Sequence, residues 1–179
     1  MASVPTLKRV FSMCAVYNYQ MSGKTVNFEN KKAEGEAFEG RVIKMFKAAG
    51  HEAWKSKDRS YDLKVVLTVP LYGTHTIKAE CKQDKVALNT GNIALEVISD
   101  GKPSGIHPEG PSPDLWIHGL GNEVWLMKTK AIQSLCVMHQ MTWGNKYVPM
   151  GDKGMNCQGI LMPVSVARKA KGGVWVTLP

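Results

Sequence analysis

Two segments of alternating polar and apolar residues, 60–67 and 76–84, constrain the fold of this chain most strongly. In the first segment every second residue is apolar, which places Asp62 on the opposite face of a predicted strand. In the second segment the same period places Glu80 and Lys82 together on one face. The connection between the segments contains a proline and a glycine, as is typical of a turn. The sequence therefore predicts an antiparallel β-hairpin.

Pairing within this hairpin would bring Asp62 next to Glu80, with Lys82 on the same face. Two carboxylates at close range need a cation, and carboxylate oxygens are preferred ligands of hard divalent metals. The cluster therefore suggests metal chemistry on an anionic substrate. The alternative interpretation is an ordinary solvated strand face with interspersed charges, and the alternation alone does not choose between them.

The charge balance indicates the kind of partner. The chain has 179 residues, long enough for one domain with a proper core, and 23 Lys and Arg stand against 15 Asp and Glu, giving a net charge of +8. A basic chain favours a polyanionic partner through phosphate contacts and counterion release. Acidic groups clustered inside a positive field are less common than basicity alone, and they normally hold a metal.

A helix is predicted over 30–49, where apolar residues recur at spacings of three and four and Gly50 ends the pattern. The predicted apolar stripe consists of Phe38, Val42, Met45, Phe46 and Ala49. Glu39 lies beside this stripe, and it either borders the sheet or is an ordinary solvated helix glutamate.

The remaining segments complete the predicted architecture. Residues 100–113 are dense in glycine and proline and predict a long loop or a broken short helix. Further elements are predicted as strands over 93–98, 114–118 and 123–127, a helix capped by Thr129 and running to about His139, and edge strands over 159–164 and 173–178. This order predicts an α/β (α+β) domain over 30–179, with a mixed central β-sheet flanked by helices, after an N-terminal arm of residues 1–29.

The cysteines and the apolar runs bear on the compartment. The four cysteines are widely separated and form no paired spacing, so we expect no disulfide framework and a cytoplasmic location. The apolar run at 10–17 is short and is followed at once by polar residues, so neither a signal peptide nor a membrane span is expected.

The helix with Glu39, the strand with Asp62 and the following strand with Glu80-Cys81-Lys82 together resemble the PD-(D/E)XK nuclease superfamily, which has the restriction-endonuclease-like fold. The segment 90–106 is similar to small phage-encoded nucleases of this superfamily. The segment 38–42 is similar to the helix of phage endonucleases that resolve Holliday junctions. A proline often precedes the aspartate in the family, and Tyr61 stands there in this chain.

This resemblance implies a Mg²⁺-dependent deoxyribonuclease, with Mn²⁺ as a possible substitute. Asp62, Glu80 and the backbone carbonyl of Cys81 would hold the metal, which would polarise the scissile phosphate and lower the pKa of an attacking water. Glu39 would assist a second metal or the water. Lys82 would orient the nucleophile or neutralise charge in the transition state. The implied catalytic set is Glu39, Asp62, Glu80 and Lys82.

Contacts to DNA are predicted from residues that flank this cluster in sequence, which are Lys78, Lys85, Lys102 and Ser104. A second basic patch is predicted at 168–171, and Asp84 is interpreted as a charge at the rim of the site. No base-reading motif is found, so recognition of DNA shape is favoured over recognition of sequence. Resolution of a junction needs two active sites, which suggests a homodimer with the N-terminal arm exchanged between subunits.

Three functions remain in competition at the level of the sequence. The first is a structure-selective endonuclease that acts on branched or junction DNA in phage recombination, replication or DNA processing, in the cytoplasm of the host if the chain is phage-encoded. The second is a less selective duplex nuclease that degrades or nicks host or foreign DNA. The third is a non-catalytic nucleic-acid-binding protein, although negative charge facing phosphates would give such a protein no advantage.

Overall fold

The computed structural model describes residues 28–143, 147–150 and 156–179. Most of the N-terminal arm predicted over 1–29 lies outside these residues. The elements in chain order are α1 (Phe28–Ala48), β1 (Glu52–Lys55), β2 (Leu63–Val69), β3 (Gly73–Gln83), α2 (Ala87–Thr90), β4 (Asn92–Ser99), β5 (Lys102–Pro103), β6 (Leu115–Leu120), β7 (Glu123–Lys128), α3 (Thr129–Trp143), β8 (Val148–Met150), β9 (Cys157–Pro163), α4 (Val164–Lys169) and β10 (Val174–Thr177).

The larger sheet has six strands in the order β1-β2-β3-β6-β7-β10. β2 and β3 form the predicted antiparallel hairpin, and their register pairs Leu63 with Ala79 at one end and Val69 with Gly73 at the other. β3 also pairs with β6 in parallel, while the other neighbours in this sheet are antiparallel. The predicted α+β class with a mixed central sheet and flanking helices is therefore confirmed.

A second sheet of four antiparallel strands, in the order β5-β4-β9-β8, was not predicted. The predicted edge strand at 159–164 is β9, which lies between β4 and β8, so its edge position was wrong. Gly159 pairs with Glu96 in this sheet, and a Cβ at Gly159 would overlap the carbonyl oxygen of Leu95. The close pairing of β9 with β4 therefore depends on a glycine at this position.

α1 covers one face of the larger sheet. Phe38, Val42, Met45 and Phe46 pack there with Leu63, Val65, Ala79 and Cys81 in one buried cluster. Ala49, the last member of the predicted stripe, is exposed because α1 ends at Ala48 and Gly50 takes a left-handed backbone conformation with φ of 82°. The helix also begins two residues earlier than predicted, at Phe28.

The second core lies between the other face of β6 and β7 and the smaller sheet, and it includes Trp116, Trp125, Leu95 and Ile160. Helix α3 contributes Ile132 to it. The predicted N-cap role of Thr129 was wrong, because Thr129 is the first residue of α3 and its buried hydroxyl has no hydrogen-bond partner among the described residues.

Among the described residues, the two cores leave one part of the larger sheet uncovered. The second core contains buried residues of β6 and β7, whereas those of β1, β2 and β3 belong to the core under α1. The face of β1, β2 and β3 that points away from α1 is therefore free to carry polar side chains. Glu80 and Lys82 lie on this face, opposite the buried Ala79 and Cys81.

The buried Phe38 of α1 packs directly against Gly119 of β6, where an added Cβ would overlap its ring. We expect Gly119→Ala to lower the free energy of unfolding by about 1–3 kcal/mol, as overpacking in a core does. Gly35→Ala within α1 meets no described atom within 4 Å and is the control. Because alanine favours a helix interior, the control should raise the free energy of unfolding by about 0.5–1 kcal/mol. Equal effects of both substitutions in urea denaturation would contradict this packing.

Candidate active site

Asp62 is fixed at the point where β2 begins. β2 pairs with β3 only as far as Leu63 and Ala79, whereas β3 continues to Gln83. The backbone N–H of Asp62 donates to the carbonyl of Ala79 (3.0 Å), and its carboxylate Oδ2 accepts from the N–H of Cys81 (2.8 Å). The carboxylate therefore takes the place of a strand neighbour and lies beside Glu80, as the hairpin predicted.

Glu80 and Lys82 form an ion pair on the exposed face of β3, with 3.0 Å between Nζ and Oε1. Burial raises the pKa of Glu80, and the carboxylates of Asp62 and Glu39 add to this rise, while Lys82 opposes it. Burial lowers the pKa of Lys82, but the charges of Glu80, Asp62 and Glu96 outweigh burial and raise it. The site therefore concentrates negative charge around a single ammonium group.

Glu39 reaches the same region from α1. Its Oε2 lies 3.1 Å from the ammonium of Lys55, which also pairs with Glu36 at 3.2 Å. The Oε2 atom is buried and has no partner with hydrogen-bond geometry among the described residues. Its charge contributes to the raised pKa values of Glu80 and Cys81. Glu39 therefore borders the sheet, as one of its two sequence interpretations held, and its carboxylate is paired with Lys55.

The two carboxylates of the site suit a hard cation whose remaining ligands are waters and substrate. The described residues contain no group of three or more His, Cys, Asp or Glu side chains that could hold a metal ion together. Asp62 and Glu80 are two carboxylates, and Mg²⁺ is commonly bound by one or two carboxylates, with waters and substrate phosphates completing its shell. The residues present fit such a shared site. Metal binding by Asp62, by Glu80, by Glu39 and by the carbonyl of Cys81 stays a prediction.

The side chain and the backbone of Cys81 belong to different parts of the structure. Its thiol faces the core under α1, as predicted, and burial raises the pKa of this thiol well above the ordinary value. A thiol in this environment remains protonated and is not a soft metal ligand. The chemistry of the site is therefore that of oxygen donors and one ammonium.

The four predicted DNA contacts do not converge on one point. Lys78 lies on β3, on the same face as Glu80. Lys85 pairs with Glu34 of α1 at 2.7 Å, and Lys102 is on β5 in the smaller sheet. The hydroxyl of Ser104 donates to the backbone carbonyl of Glu96 and is used within the fold. Their roles in substrate binding stay predictions.

Two groups beside the site have roles that the sequence did not predict. Glu96 of β4 acts on Lys82, although β4 belongs to the other sheet, and the register of β4 with β9 shifts between Glu96 and Ile98. Such bulges redirect side chains and are common beside active sites. The only sequence signal was the polar position of Glu96 in an alternating strand.

Asp84 is the second such group, because it is a structural acceptor rather than a rim charge. Its Oδ1 accepts from the N–H groups of Val86 and Ala87, and its Oδ2 accepts from Ala94. Oδ2 also lies 3.5 Å from Nε2 of the buried His118. Burial alone would raise the pKa of Asp84, but the nearby His118 and the backbone N–H groups of Ala94 and Ala87 outweigh burial and hold this pKa below its usual range. Asp84 therefore ties the end of β3 to α2 and β4.

Comparisons with known proteins give one structural likeness. No family model matches the chain, and no curated protein matches its sequence. Among solved structures the chain is similar to the bacterial homing endonuclease I-Ssp6803I, with 14% identity, 70% of this chain and 82% of that chain covered, and a TM-score of 0.42. A likeness of this size assigns neither a family nor a function. None of the helices within residues 28–143, 147–150 and 156–179 has the length and apolarity to cross a membrane.

Asp62 and Lys82 have opposite effects on the pKa of Glu80, and substitutions of these two residues test this. We expect Asp62→Asn to lower the pKa of Glu80, because it removes a neighbouring negative charge, and Lys82→Met to raise it, because it removes the paired cation. Carboxyl ¹³C NMR titration of Glu80 measures both changes. Shifts in the same direction, or no shift in either variant, would show that the three groups do not share one electrostatic site.

Proposed function

We propose that this protein is a Mg²⁺-dependent DNA endonuclease that selects branched or junction DNA. The observation that carries the proposal is the placement of the Asp62 carboxylate beside Glu80, through its hydrogen bond with the Cys81 N–H, with Lys82 3.0 Å from Glu80. The pKa of Glu80 is raised chiefly by burial, so its ionised form lacks sufficient stabilisation from its protein neighbours. A divalent cation would supply that stabilisation.

Each side chain has a defined task in this proposal. Asp62 and Glu80 would hold the cation by their oxygens, and Asp62 stays oriented because Cys81 fixes one of its oxygens. A bound Mg²⁺ supplies Lewis-acid chemistry, which polarises a phosphoryl oxygen and lowers the pKa of a bound water. Glu39, whose carboxylate is paired with Lys55, would also receive a hydrogen bond from water at the border of the site.

Lys82 would change partner when substrate binds. Its ammonium pairs with Glu80 and is partly exposed, so binding of a cation by Glu80 would free it for a phosphate oxygen. Negative charge in phosphoryl transfer is spread over the non-bridging oxygens, where a nearby ammonium lowers the barrier. The raised pKa of Lys82 keeps it charged at neutral pH, so charge neutralisation suits it better than the role of a base.

DNA is the proposed polyanion because the chain carries a net charge of +8 and the acidic site lies within this positive field. Selection by shape follows from the lack of a base-reading motif in the sequence. Cleavage of two strands of a junction would need two sites, so a homodimer belongs to the proposal.

Cleavage assays test the catalytic assignment. We expect Asp62→Ala and Glu80→Gln to abolish cleavage with Mg²⁺, and Lys82→Ala to reduce the rate by about 10²–10³, the range measured for loss of one charge-stabilising donor. Glu109→Gln removes an exposed carboxylate from the loop before β6, outside the site, and should leave the rate unchanged. Full activity of the Asp62 or Glu80 variant would exclude this site.

The choice of substrate is tested with four DNAs: a four-way junction, a nicked duplex, a linear duplex and a single strand. We expect the junction to be cleaved fastest, and its products are resolved on a denaturing gel. Equal cleavage of all four would replace the proposal with a less selective nuclease. Binding of DNA without cleavage in Mg²⁺ or Mn²⁺ would identify a non-catalytic binding protein.

Metal binding is expected to stabilise the fold in a pH-dependent manner. Mg²⁺ should raise the Tm of the wild-type protein, because a ligand that binds only the folded state stabilises it. The cation needs ionised Glu80, and the pKa of Glu80 is raised. The Mg²⁺-induced rise in Tm should therefore decline as pH falls, and the decline should begin at a pH above the ordinary titration range of glutamate. Glu80→Gln should lose the effect, while Glu109→Gln keeps it. A metal-induced shift in Tm that persists in Glu80→Gln would contradict the ligand assignment.

A further inference from the structure

A row of aromatic and basic side chains crosses the face of the larger sheet that α1 leaves uncovered. Trp54 of β1 pairs with Lys64 of β2, and Lys64 pairs with Lys78 of β3. Asp62, just before β2, and Glu80 of β3 are each two residues along the chain from Lys64 and Lys78, a separation of about 7 Å between Cα atoms. Trp54, Tyr61, Lys64 and Lys78 are called the aromatic–lysine row below.

The positions of the two lysines in this row are electrostatically unfavourable. Lys64 and Lys78 lie directly opposite each other in the hairpin, an arrangement of like charges that destabilises a strand pair. Neither forms an ion pair with a carboxylate within the part of the chain that the structure describes. Their ammonium groups lie instead 5.6 Å from the ring centroid of Trp54 and 5.2 Å from that of Tyr61. The row therefore presents two ammonium groups held against aromatic rings, and the exposed carboxylate of Asp58 acts electrostatically on Lys78 without forming an ion pair with it.

A cavity of about 330 Å³ adjoins the row, and its lining includes Trp54, Tyr61, Lys64 and residues 55–58. This volume is near the lower end of the range of about 300–1,000 Å³ for small-ligand sites. Trp54 is 41% exposed, so part of its ring is available to a ligand. Aromatic surface beside ammonium groups suits a planar base attached to a phosphate.

We propose that the aromatic–lysine row binds an unstacked nucleotide of the DNA strand next to the scissile phosphate. Its base stacks on Trp54 in the cavity, and its flanking phosphates contact Lys64 and Lys78. The position relative to the scissile bond rests on the proposed function, but binding by the row itself needs no metal. A base inside an intact duplex is already stacked on its neighbours, so the row gives a physical reason for preference for branched or single-stranded DNA.

Binding without cleavage tests the stacking contact. Fluorescence anisotropy in EDTA compares labelled single-stranded DNA, a duplex with a single-stranded flap and a blunt duplex, with wild-type protein, Trp54→Ala and Trp54→Phe. We expect Trp54→Ala to weaken binding to the single strand and the flap about 10-fold, within the range for loss of one stacked base, and to change blunt-duplex binding by less than about 2-fold. Trp54→Phe should retain most of the affinity because it keeps a stacking surface.

The phosphate contacts are tested by salt dependence. The double variant Lys64→Gln/Lys78→Gln is compared with Lys44→Gln/Lys47→Gln, which removes the same charge from α1 on the other side of the sheet. For single-stranded DNA the slope of log K against log salt should decrease in magnitude by about 1.4 in the row variant, at about 0.7 per phosphate contact, and change little in the control. A purely structural role of these lysines would not change this slope selectively.

The outcomes separate the row from the catalytic proposal. If Trp54→Ala and Lys64→Gln/Lys78→Gln bind every DNA with wild-type affinity, nucleotide binding by the row is overturned. This holds even if cleavage and its dependence on Asp62 are as proposed. Trp54-dependent binding in a protein that cleaves nothing with Mg²⁺ or Mn²⁺ supports the row and overturns the catalytic function. A single-stranded RNA of the same sequence completes the comparison, and clear preference for RNA would overturn the assignment to a DNA strand.

Discussion

The arrangement of the candidate site depends on an offset between two strands: β3 continues beyond the point at which β2 begins. The offset would leave the N–H of Cys81 without a strand partner, and the carboxylate of Asp62 accepts it. One hydrogen bond thereby completes the sheet and places a second carboxylate beside Glu80. Because Cys81 also packs its side chain under α1, the position of the carboxylates is coupled to the packing of the core.

The charges around this offset are costly in the protein alone. Burial and two neighbouring carboxylates raise the pKa of Glu80, and Lys82 is the cation that partly compensates them. On the same face, Lys64 and Lys78 oppose each other directly. Carboxylates with too little cation thus lie about 7 Å along the strands from two lysines that form no ion pair among the described residues. A metal ion at the first and a phosphate strand at the second would relieve both, and this complementarity connects the two proposals.

The hairpin, the buried face of α1 and the closeness of Asp62 to Glu80 could be predicted because they follow from alternation and helical spacing within short segments. The strand with which a given strand pairs could not be predicted, because alternation identifies the buried face of a strand but not its neighbour. β9 therefore appeared to be an edge strand, and the approach of Glu96 to Lys82 from the other sheet was missed. The row at Trp54 needed the register of β1, which no local pattern encodes.

The central claim is that Asp62 and Glu80 bind one divalent cation together. The most direct measurement is a crystal structure of the protein soaked in Mn²⁺, with anomalous scattering used to locate the metal. The account predicts one anomalous peak at about 2.0–2.2 Å from a carboxylate oxygen of each residue, a coordination distance typical of small divalent cations, and loss of the peak in Glu80→Gln. A cation bound elsewhere in a protein that cleaves DNA, with Lys82 still paired to Glu80, would contradict it.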